Sequence, residues 1–591
     1  MYWRYSSIIR IIDELYTESC SSIILFNEQN RISIVHQINP RLMAYAVSTN
    51  ISKEKREKLV QKISAIKNYI ATAPQDENTT QLLAYIADIE KDIKGKKYGL
   101  IFEEHRETID EILATHTPVL SEEKDLFINN GGQMNFLIEG DNLASLQLLE
   151  KTHKGKIDLI YIDPPYNTLK NEKDDFTYDD IRIDKTDMFA HSKWISFMKE
   201  RLAVAHKLLS SRGCIFISID DHEYANLKLL MDNIFSEDNF LCNIIWNSTK
   251  SVTNTAVISV SHTYNLVYFK DINYIIENRT KFRVPETGEG FSNPDNDPRG
   301  LWKADPFQVG GWRPNQQYEI INPITGVIYK PNKGCSWKND YEKFQALVAD
   351  NRIVFGKNGT SGPQRKRFIW EAEERGRVVK TIWDDIETTT NGTQLLKKLF
   401  GGNTPFSNPK PLGLLTRILQ LGSSKDSTIL DFFAGSGTTG HAVMKLNAED
   451  GGRRKFILCT NNENNICRDV AYERIKRVIE KENYQTSLKY FKVDFIPISE
   501  KLYYEYADEL LAHIRELVEL ENGINFNGNT EIAIILTEEE LDNFTANIPA
   551  DCKAIYLGHD VLPDETQEKL FKKHDIIVNI IPDYYYRELE G

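Results

Sequence analysis

The middle of the chain alternates short apolar runs with longer amphipathic segments. Residues 157–162 (IDLIYI) form an apolar run rich in β-branched side chains, and similar runs occupy 214–219 and 428–433. Such runs are typical of strands that are buried on both faces of a parallel sheet. Segments with apolar positions at helical spacing, such as 194–210 and 412–421, lie between the runs. This order predicts an α/β fold with a doubly wound sheet.

The two ends of the chain differ from this pattern. Residues 1–124 contain two strongly periodic segments, 53–72 and 80–93, and are predicted to be a mainly helical scaffold. Residues 486–591 combine short strand and helix patterns with no glycine-rich loop and no clustered acids and bases. We therefore expect a small α/β interaction domain at the C-terminus.

Composition excludes several classes of protein. Apolar residues make up 41% of the chain and charged residues 27%, which is ordinary for a globular protein. No apolar run approaches the roughly 20 residues of a membrane span, and Asp13 and Glu14 interrupt the apolar N-terminal stretch. The sequence thus predicts a cytoplasmic protein without membrane contact. The seven cysteines lack metal-ligand spacing, so no metal is predicted.

The charge of the chain is unevenly distributed. The net charge is −14, yet residues 279–380 carry 18 lysines and arginines against 12 aspartates and glutamates, which is +6. This stretch lies in a Pro-, Gly- and Trp-rich segment, residues 276–400, and contains Arg365, Lys366 and Arg367. Clustered cations of this kind favour contact with DNA phosphates. A solvated basic face and an irregular insert without nucleic acid are the alternatives.

The run 157–162 ends abruptly at Asp163-Pro164-Pro165-Tyr166. The prolines stop the strand and stiffen the turn, so a carboxylate is presented at the strand's C-terminal end. The exocyclic amino group of a nucleobase needs fixed hydrogen-bond acceptors before it can act as a nucleophile. The Asp163 side chain and the Pro164 carbonyl supply two acceptors, and Tyr166 supplies an aromatic face for a base taken out of its stack. A simple strand-ending turn is the alternative.

A second strand, 428–433, leads into a glycine loop that contains Gly435, Gly437 and Gly440. Glycines at a strand-to-helix turn let backbone N–H groups approach an anionic ligand. The loop also matches the G-x-G-x-x-G pattern of dinucleotide-binding proteins, so that function is an alternative. It is not a nucleotidase loop, because His441-Ala442 stands where Lys and Ser or Thr are required.

The two motifs together resemble a known family. Asp163-Pro164-Pro165-Tyr166 is similar to the catalytic motif of amino-group DNA methyltransferases, and 431–439 (DFFAGSGTT) resembles their F-x-G-x-G cofactor loop. The catalytic motif precedes the cofactor loop here, which is the order of the β class. With the phrases KYGLIFEEH and YIDPPYNT, the sequence looks like a modification subunit of a type III restriction-modification system.

The resemblance implies a Rossmann-like methyltransferase sheet in two halves, 125–275 and 401–485, with a target-recognition insert at 276–400. It implies S-adenosylmethionine as the cofactor. The residues that match the family's cofactor site are Asp141, Lys410, Asp431, Phe433, Gly435, Gly437, Thr438 and Glu463. The family commonly has an acid that binds the cofactor ribose at the end of the strand after the glycine loop, and this chain has Thr460 there. The candidates to replace that acid are Asn461, Asn462 and Glu463.

The resemblance also implies a function. The expected reaction moves a methyl group to N6 of a flipped adenine in double-stranded DNA, with Asp163, Pro164, Pro165 and Tyr166 forming the catalytic turn. Cytosine-N4 methylation is one alternative, and an inactive DNA-binding specificity subunit is another. Expected partners are a second copy of the chain and a separate nuclease and translocase subunit.

Overall fold

The computed structural model describes residues 51–72, 77–94, 102–168, 189–356, 359–498 and 509–581. The chain divides into two compact units, residues 1–101 and 102–591. In the first unit, helices Ile51–Thr72 and Glu77–Lys94 pack through a small core of isoleucines. No helix in the described part of the chain is long and apolar enough to cross a membrane.

The second unit is built on a ten-stranded sheet, whose strands are numbered here in chain order. The strands are β1 (His116–Glu122), β2 (Gln133–Glu139), β3 (Ile157–Ile162), β4 (Leu209–Ile219), β5 (Phe240–Trp246), β6 (Thr263–Phe269), β7 (Ile382–Trp383), β8 (Thr428–Asp431), β9 (Lys455–Thr460) and β10 (Thr486–Pro497). Their order across the sheet is β1-β10-β2-β9-β8-β3-β4-β6-β5-β7.

Six neighbouring strands, from β10 to β4, run parallel, and antiparallel pairs flank them at β1 and at β6. The chain moves outward from β3 to β4 in one direction and from β8 to β9 in the other. The boundary between β3 and β8 is therefore the switch point of a doubly wound sheet, where ligands bind at the carboxyl ends of strands. This arrangement confirms the predicted fold class.

The parallel strands are buried on both faces because side chains alternate between two cores. Ile160 and Ile162 enter one core, while Leu159 and Tyr161 enter the other. The first core is covered by helices Thr108–Thr115, Asn142–His153, Ala190–Leu208, Tyr224–Phe235 and Ile514–Asn522. The second is covered by helices Ile272–Glu277, Leu412–Gly422, Thr438–Asp450 and Glu473–Glu482.

The segment between β6 and β7 forms short strands around a separate apolar cluster of Phe307, Ile320 and Trp337. Its strands are Trp302–Pro306, Gln308–Gly310, Ile320–Ile321, Ile328–Tyr329, Cys335–Trp337, Ile353–Val354 and Gln364–Phe368. Its helices are Tyr341–Ala349 and Ile369–Arg375, and helix Thr389–Leu399 follows β7. The insert thus has its own core.

The main sheet extends beyond the residues that the sequence assigned to it. β1 lies within the expected N-terminal region and β10 within the expected C-terminal region, yet the two pair along their length in the main sheet. Lys489, in the middle of β10, is fully buried and bonds to Glu519 and Glu122. The charged Lys489 interrupts the apolar pattern of β10. The sequence pattern therefore did not identify β10 as a strand of the main sheet.

The C-terminal residues form a small parallel sheet of Ile532–Ile535, Ala554–Leu557 and Ile577–Ile580, with helices Glu538–Ala546 and Glu565–Lys573. Its apolar cluster contains Ile555, Leu557 and Phe571. The short strand and helix patterns of this region therefore fold as expected.

Candidate active site

The turn after β3 holds a carboxylate between two partners. Asp163 Oδ1 accepts a hydrogen bond from the Tyr166 hydroxyl at 2.8 Å, and Asp163 Oδ2 lies 2.5 Å from Lys410 Nζ. The Lys410 ammonium also lies 5.1 Å from the centre of the Tyr166 ring. Burial raises the pKa of the Tyr166 hydroxyl well above its usual value, so this group is a hydrogen-bond donor at neutral pH.

Residues outside the motif fix the conformation of this turn. The buried Trp194 indole N–H donates to the Pro165 carbonyl at 2.7 Å. Asn167, which adopts a left-handed conformation with φ 56°, donates to the fully buried Glu223. Glu223 also lies 2.7 Å from His191 Nδ1. The catalytic turn is therefore held from both sides by neighbouring helices, a feature that the motif itself did not reveal.

The glycine loop follows β8 and leads into helix Thr438–Asp450. Gly435 and Gly437 adopt left-handed conformations with φ 48° and 72°. A Cβ at Gly435 would lie 3.1 Å from the Phe406 ring, and one at Gly437 would lie 3.2 Å from the Ala471 carbonyl oxygen. Glycine is required at both positions because the backbone conformation and the close packing exclude a side chain.

The two motifs meet because β3 and β8 are neighbours, paired through Leu159 with Ile429 and Ile160 with Leu430. A cleft of about 360 Å³ opens at their carboxyl ends. It is lined by Tyr161, Asp163, Pro164, Pro165, Pro405, Phe406, Ser407, Lys410, Asp431, Phe433, Ala434, Gly435, Ser436, Thr438, Thr439, Thr460, Asn461, Asn464 and Ile466. Residues from segments hundreds of positions apart thus share one site.

A second carboxylate lies deep in the cleft. Asp431 accepts hydrogen bonds from the Phe433 N–H at 3.0 Å and the Thr439 hydroxyl at 2.5 Å. Burial raises the pKa of Asp431, the two donors lower it, and the nearby Asp163 carboxylate raises it again, so that the resulting pKa is about 7. The interior of the cleft consequently changes its charge near neutral pH.

A buried arginine lies against the glycine loop. Arg474 is fully buried, and its Nη1 donates to Thr438 Oγ1 at 2.6 Å and to Ser436 Oγ at 3.1 Å. Among the described residues, its Nε and Nη2 atoms have no hydrogen-bond partner. Burial lowers the pKa of Arg474 to about 9. A buried cation with unused donors favours a bound anion next to the loop.

Comparison with known sequences assigns the family. The N6/N4 methylase family, described as DNA methylase, matches residues 157–473, which is more than half of the chain. The chain belongs to this family. The match begins at β3 and ends next to Arg474, so it includes both the catalytic turn and the glycine loop.

Several characterised members are similar to this DNA methylase. The type III restriction-modification enzyme StyLTI Mod subunit of Salmonella typhimurium is 37% identical over 393 residues, which is 60% of this chain and 57% of that protein. The type II methyltransferase M.KpnI of Klebsiella pneumoniae is 34% identical over 390 residues, 60% of this chain and 90% of that protein. The chain spans somewhat more than half the length of its type III relatives.

One solved structure gives a weaker likeness. The PvuII DNA methyltransferase, which is cytosine-N4-specific, aligns with 61% of this chain and 97% of its own at 12% identity and a TM-score of 0.30. A likeness of this size supports no conclusion about the function or the substrate of this DNA methylase.

Three residues expected at the cofactor site of this DNA methylase, Asp141, Gly437 and Glu463, lie outside the cleft lining. Asp141 caps helix Asn142–His153 by accepting from Leu143 N and Ala144 N, and it faces the buried guanidinium of Arg201 at 3.4 Å. Glu463 is also absent from the lining, whereas Asn461 and Asn464 belong to it. The sequence already allowed Asp141 to be a helix cap, whereas the distant Arg201 that faces its carboxylate is not visible in the local sequence. Its contact with the cofactor stays a prediction.

The expected DNA-binding cluster is only partly exposed. Arg365, Lys366 and Arg367 lie on strand Gln364–Phe368 of the insert. Lys366 is fully buried and bonds to Asp295 and Asp297, so its ammonium does not reach the surface and its assignment to phosphate contact is wrong. Strand alternation turns Lys366 inward while its two neighbours point outward. Arg365 and Arg367 pair at the surface with Glu371 and Asp305.

The raised pKa of Asp431 predicts a pH-dependent stability. Between the usual pKa near 3.8 and the folded value of about 7, the folded state binds a proton that the unfolded state releases. Stability is therefore lost as the pH rises through this window, by an amount on the order of 4 kcal/mol. Asp431→Asn removes this dependence. We expect the melting temperature of the wild type to fall relative to Asp431→Asn between pH 5 and pH 8.

Thermal melts of both proteins at the two pH values measure this effect. Asp125→Asn is the matched control, because Asp125 is exposed, and it should follow the wild type. Parallel pH dependences of the wild type and Asp431→Asn would contradict the assignment of the shift to Asp431.

Proposed function

We propose that this DNA methylase transfers a methyl group from S-adenosylmethionine to N6 of an adenine that is flipped out of double-stranded DNA. The observation that supports this most strongly is the position of Asp163. Its carboxylate lines the same cleft as Gly435 and Ser436 of the glycine loop, at the switch point of the sheet. A nucleophile held at one side can thus meet a methyl donor held at the other.

The residues of the cleft fit the chemical groups of S-adenosylmethionine. The glycine loop and the start of helix Thr438–Asp450 offer backbone donors, and the Arg474 guanidinium adds a buried positive charge beside them. Both suit the carboxylate of the cofactor. Asp163 and Asp431 place acidic groups in the same cleft, which suits its sulfonium. When bound, the cofactor would supply an electrophilic methyl group.

The catalytic turn would bind and orient the target base. An ionised carboxylate oxygen can accept more than one hydrogen bond, so Asp163 can bond to the adenine amino group while it remains paired with Tyr166 and Lys410. The Pro164 carbonyl offers a second acceptor. Both acceptors stabilise the positive charge that develops on the nitrogen as the N–C bond forms. The Tyr166 ring would provide the stacking surface.

The substrate preference follows from Asp163. In the resembled family, cytosine-N4 enzymes usually carry serine at this position, whereas aspartate is mostly found in adenine-N6 enzymes. The alternative of an inactive specificity subunit is disfavoured, because the Asp163 contacts and the glycine conformations are intact. Type III Mod subunits are among the similar proteins, at 37% and 32% identity, which supports the role of a modification subunit.

A modification subunit requires partners. We propose that the insert carries target recognition and that residues 1–124 and 486–591 contact other subunits, either a second copy or a separate nuclease and translocase. Light scattering on the purified chain should give a dimer, and co-purification from the native cell should recover the second subunit. Recovery of the chain alone, as a monomer, would make it a solitary methyltransferase.

Substitution of Asp163 tests the proposed reaction. We expect Asp163→Ala to lower methyl transfer on the order of 100-fold or more, because an acceptor for the reacting amino group is lost. Transfer of a labelled methyl group to DNA measures the rate, and mass spectrometry of the nucleosides identifies N6-methyladenine. Asp385→Ala, which removes a surface carboxylate paired with Arg417, is the control and should retain activity. Full turnover by Asp163→Ala would refute the assignment.

Substitution of Arg474 tests the fit of the cofactor through binding alone. We expect Arg474→Met to weaken the affinity for S-adenosylhomocysteine about tenfold or more, because a charged partner of its carboxylate is lost. The affinity for 5′-methylthioadenosine, which lacks that carboxylate, should change by less than about twofold. Calorimetry measures both ligands.

Arg477→Met on the same helix is the matched control, because Arg477 is partly exposed and pairs with Glu473. It should bind both ligands as the wild type does. An equal loss of both ligands in Arg474→Met would show that Arg474 only supports the loop, and no loss would contradict the proposed contact.

Arg365 and Arg367, the two partly exposed arginines of the cluster, give a prediction for DNA. We expect the double substitution Arg365→Ala and Arg367→Ala to weaken DNA binding and to reduce the slope of log K against log salt by about 1 to 2. Fluorescence anisotropy at several salt concentrations measures the slope. The control is Lys572→Ala with Lys573→Ala, which removes the same charge from helix Glu565–Lys573 of the C-terminal region. An unchanged slope would show that the two arginines belong to a solvated surface and do not contact DNA phosphates.

A further inference from the structure

The loop between β5 and β6, residues 247–262, carries an unusual set of exposed aliphatic side chains. Val252, Val257, Ile258 and Val260 are 74%, 103%, 83% and 61% exposed. Lys250 is the single Lys or Arg residue of this loop, which contains no acidic residue. Four water-exposed aliphatic residues in one short loop form an apolar patch, and such patches mark interaction sites. We call residues 252–260 the apolar tip.

Strand directions place the apolar tip at the catalytic edge of the sheet. β6 is antiparallel to both β4 and β5, so β5 runs in the same direction as β4 and β3. The loop therefore leaves β5 at the edge where β3 delivers Asp163. Three strand spacings separate β3 from β5, which is roughly 14 Å.

The base of the loop is held on both sides. Thr249 N donates to the Ser261 carbonyl at 3.3 Å, and Thr389 N donates to the Ser248 carbonyl at 3.0 Å. Next to the loop, His262 contacts the Tyr264 hydroxyl, which donates to Asp221 at 2.7 Å. Thr389 begins helix Thr389–Leu399, which lies at the end of the insert of residues 276–400. The base of the loop is thus held against helix Thr389–Leu399, while the apolar tip itself is exposed.

We propose that Val257 and Ile258 form a wedge that enters the DNA stack beside the extruded adenine. The inference rests on the proposed function, since it needs a duplex at the cleft. Apolar side chains inserted between base steps are a recurrent way to hold an unstacked duplex open. A loop with a cation and no acid can approach two phosphate backbones without repulsion. DNA therefore suits the tip as an occupant, because the loop carries Lys250 and no acid and lies at the catalytic edge of the sheet.

Single-turnover methylation by the double variant Val257→Ser, Ile258→Ser tests the wedge. The substrates are a paired duplex with the sequence that the wild type methylates and the same duplex with an abasic site opposite the target adenine. Extrusion costs less in the second duplex, because the pairing is already absent. We expect about a tenfold slower reaction on the paired duplex and a rate within about twofold of the wild type on the abasic one.

Leu562→Ser is the control, because Leu562 is as exposed as the tip residues and lies in the C-terminal sheet region; it should match the wild type on both substrates. An equal decrease of the methylation rate on both duplexes, or no decrease on either, would overturn the proposed wedge. If the double variant is a monomer in light scattering and methylates both duplexes more slowly by the same factor, the tip would be a contact between two copies of the chain. A wild type that methylates neither duplex would instead overturn the proposed function.

Discussion

The ion pair between Asp163 and Lys410 joins two segments that lie 247 positions apart, and the site depends on it. It exists because β3 and β8 are neighbours in the sheet although a whole insert separates them in the chain. The parallel arrangement brings both carboxyl ends to one edge. The catalytic turn and the glycine loop therefore face each other only when both halves of the sheet have assembled. A change that weakens the pairing of β3 with β8 would separate them.

Charge in this protein is mostly compensated locally. The insert carries a net charge of +6, but Lys366, Arg299 and Arg352 bond to acidic neighbours within it. The cations that can meet DNA are consequently fewer than the composition indicates. Against the glycine loop, by contrast, the buried Arg474 has donors without a partner among the described residues, and in the cleft Asp431 titrates near neutral pH. Uncompensated charge is thus concentrated where a charged cofactor is proposed to bind.

Much of the fold was predictable from the sequence, because it depends on local patterns. The apolar runs of β3 and β8 and their abrupt ends identified the strands, and the glycines identified the turn after β8. The motifs also placed Asp163, Asp431 and Gly435 correctly at one edge, since parallel strands end together. These features depend on residues that are adjacent in the chain.

Features that depend on distant side-chain partners were not predictable. Trp194, Glu223 and Arg474 support the site from neighbouring helices, and no motif marks them. The pairing of Asp141 with Arg201 also depends on a distant side chain, and the expected contact of Asp141 with the cofactor stays a prediction. A cluster of basic residues likewise does not show which of its members strand alternation will bury.

The central claim is that S-adenosylmethionine binds in the cleft where β3 meets β8. A crystal structure of the chain grown with S-adenosylhomocysteine tests it most directly. The predicted result is ligand density between Asp163 and the glycine loop, with the ligand carboxylate near Thr438 and Arg474. Density at any other surface, with the cleft empty, would contradict the account.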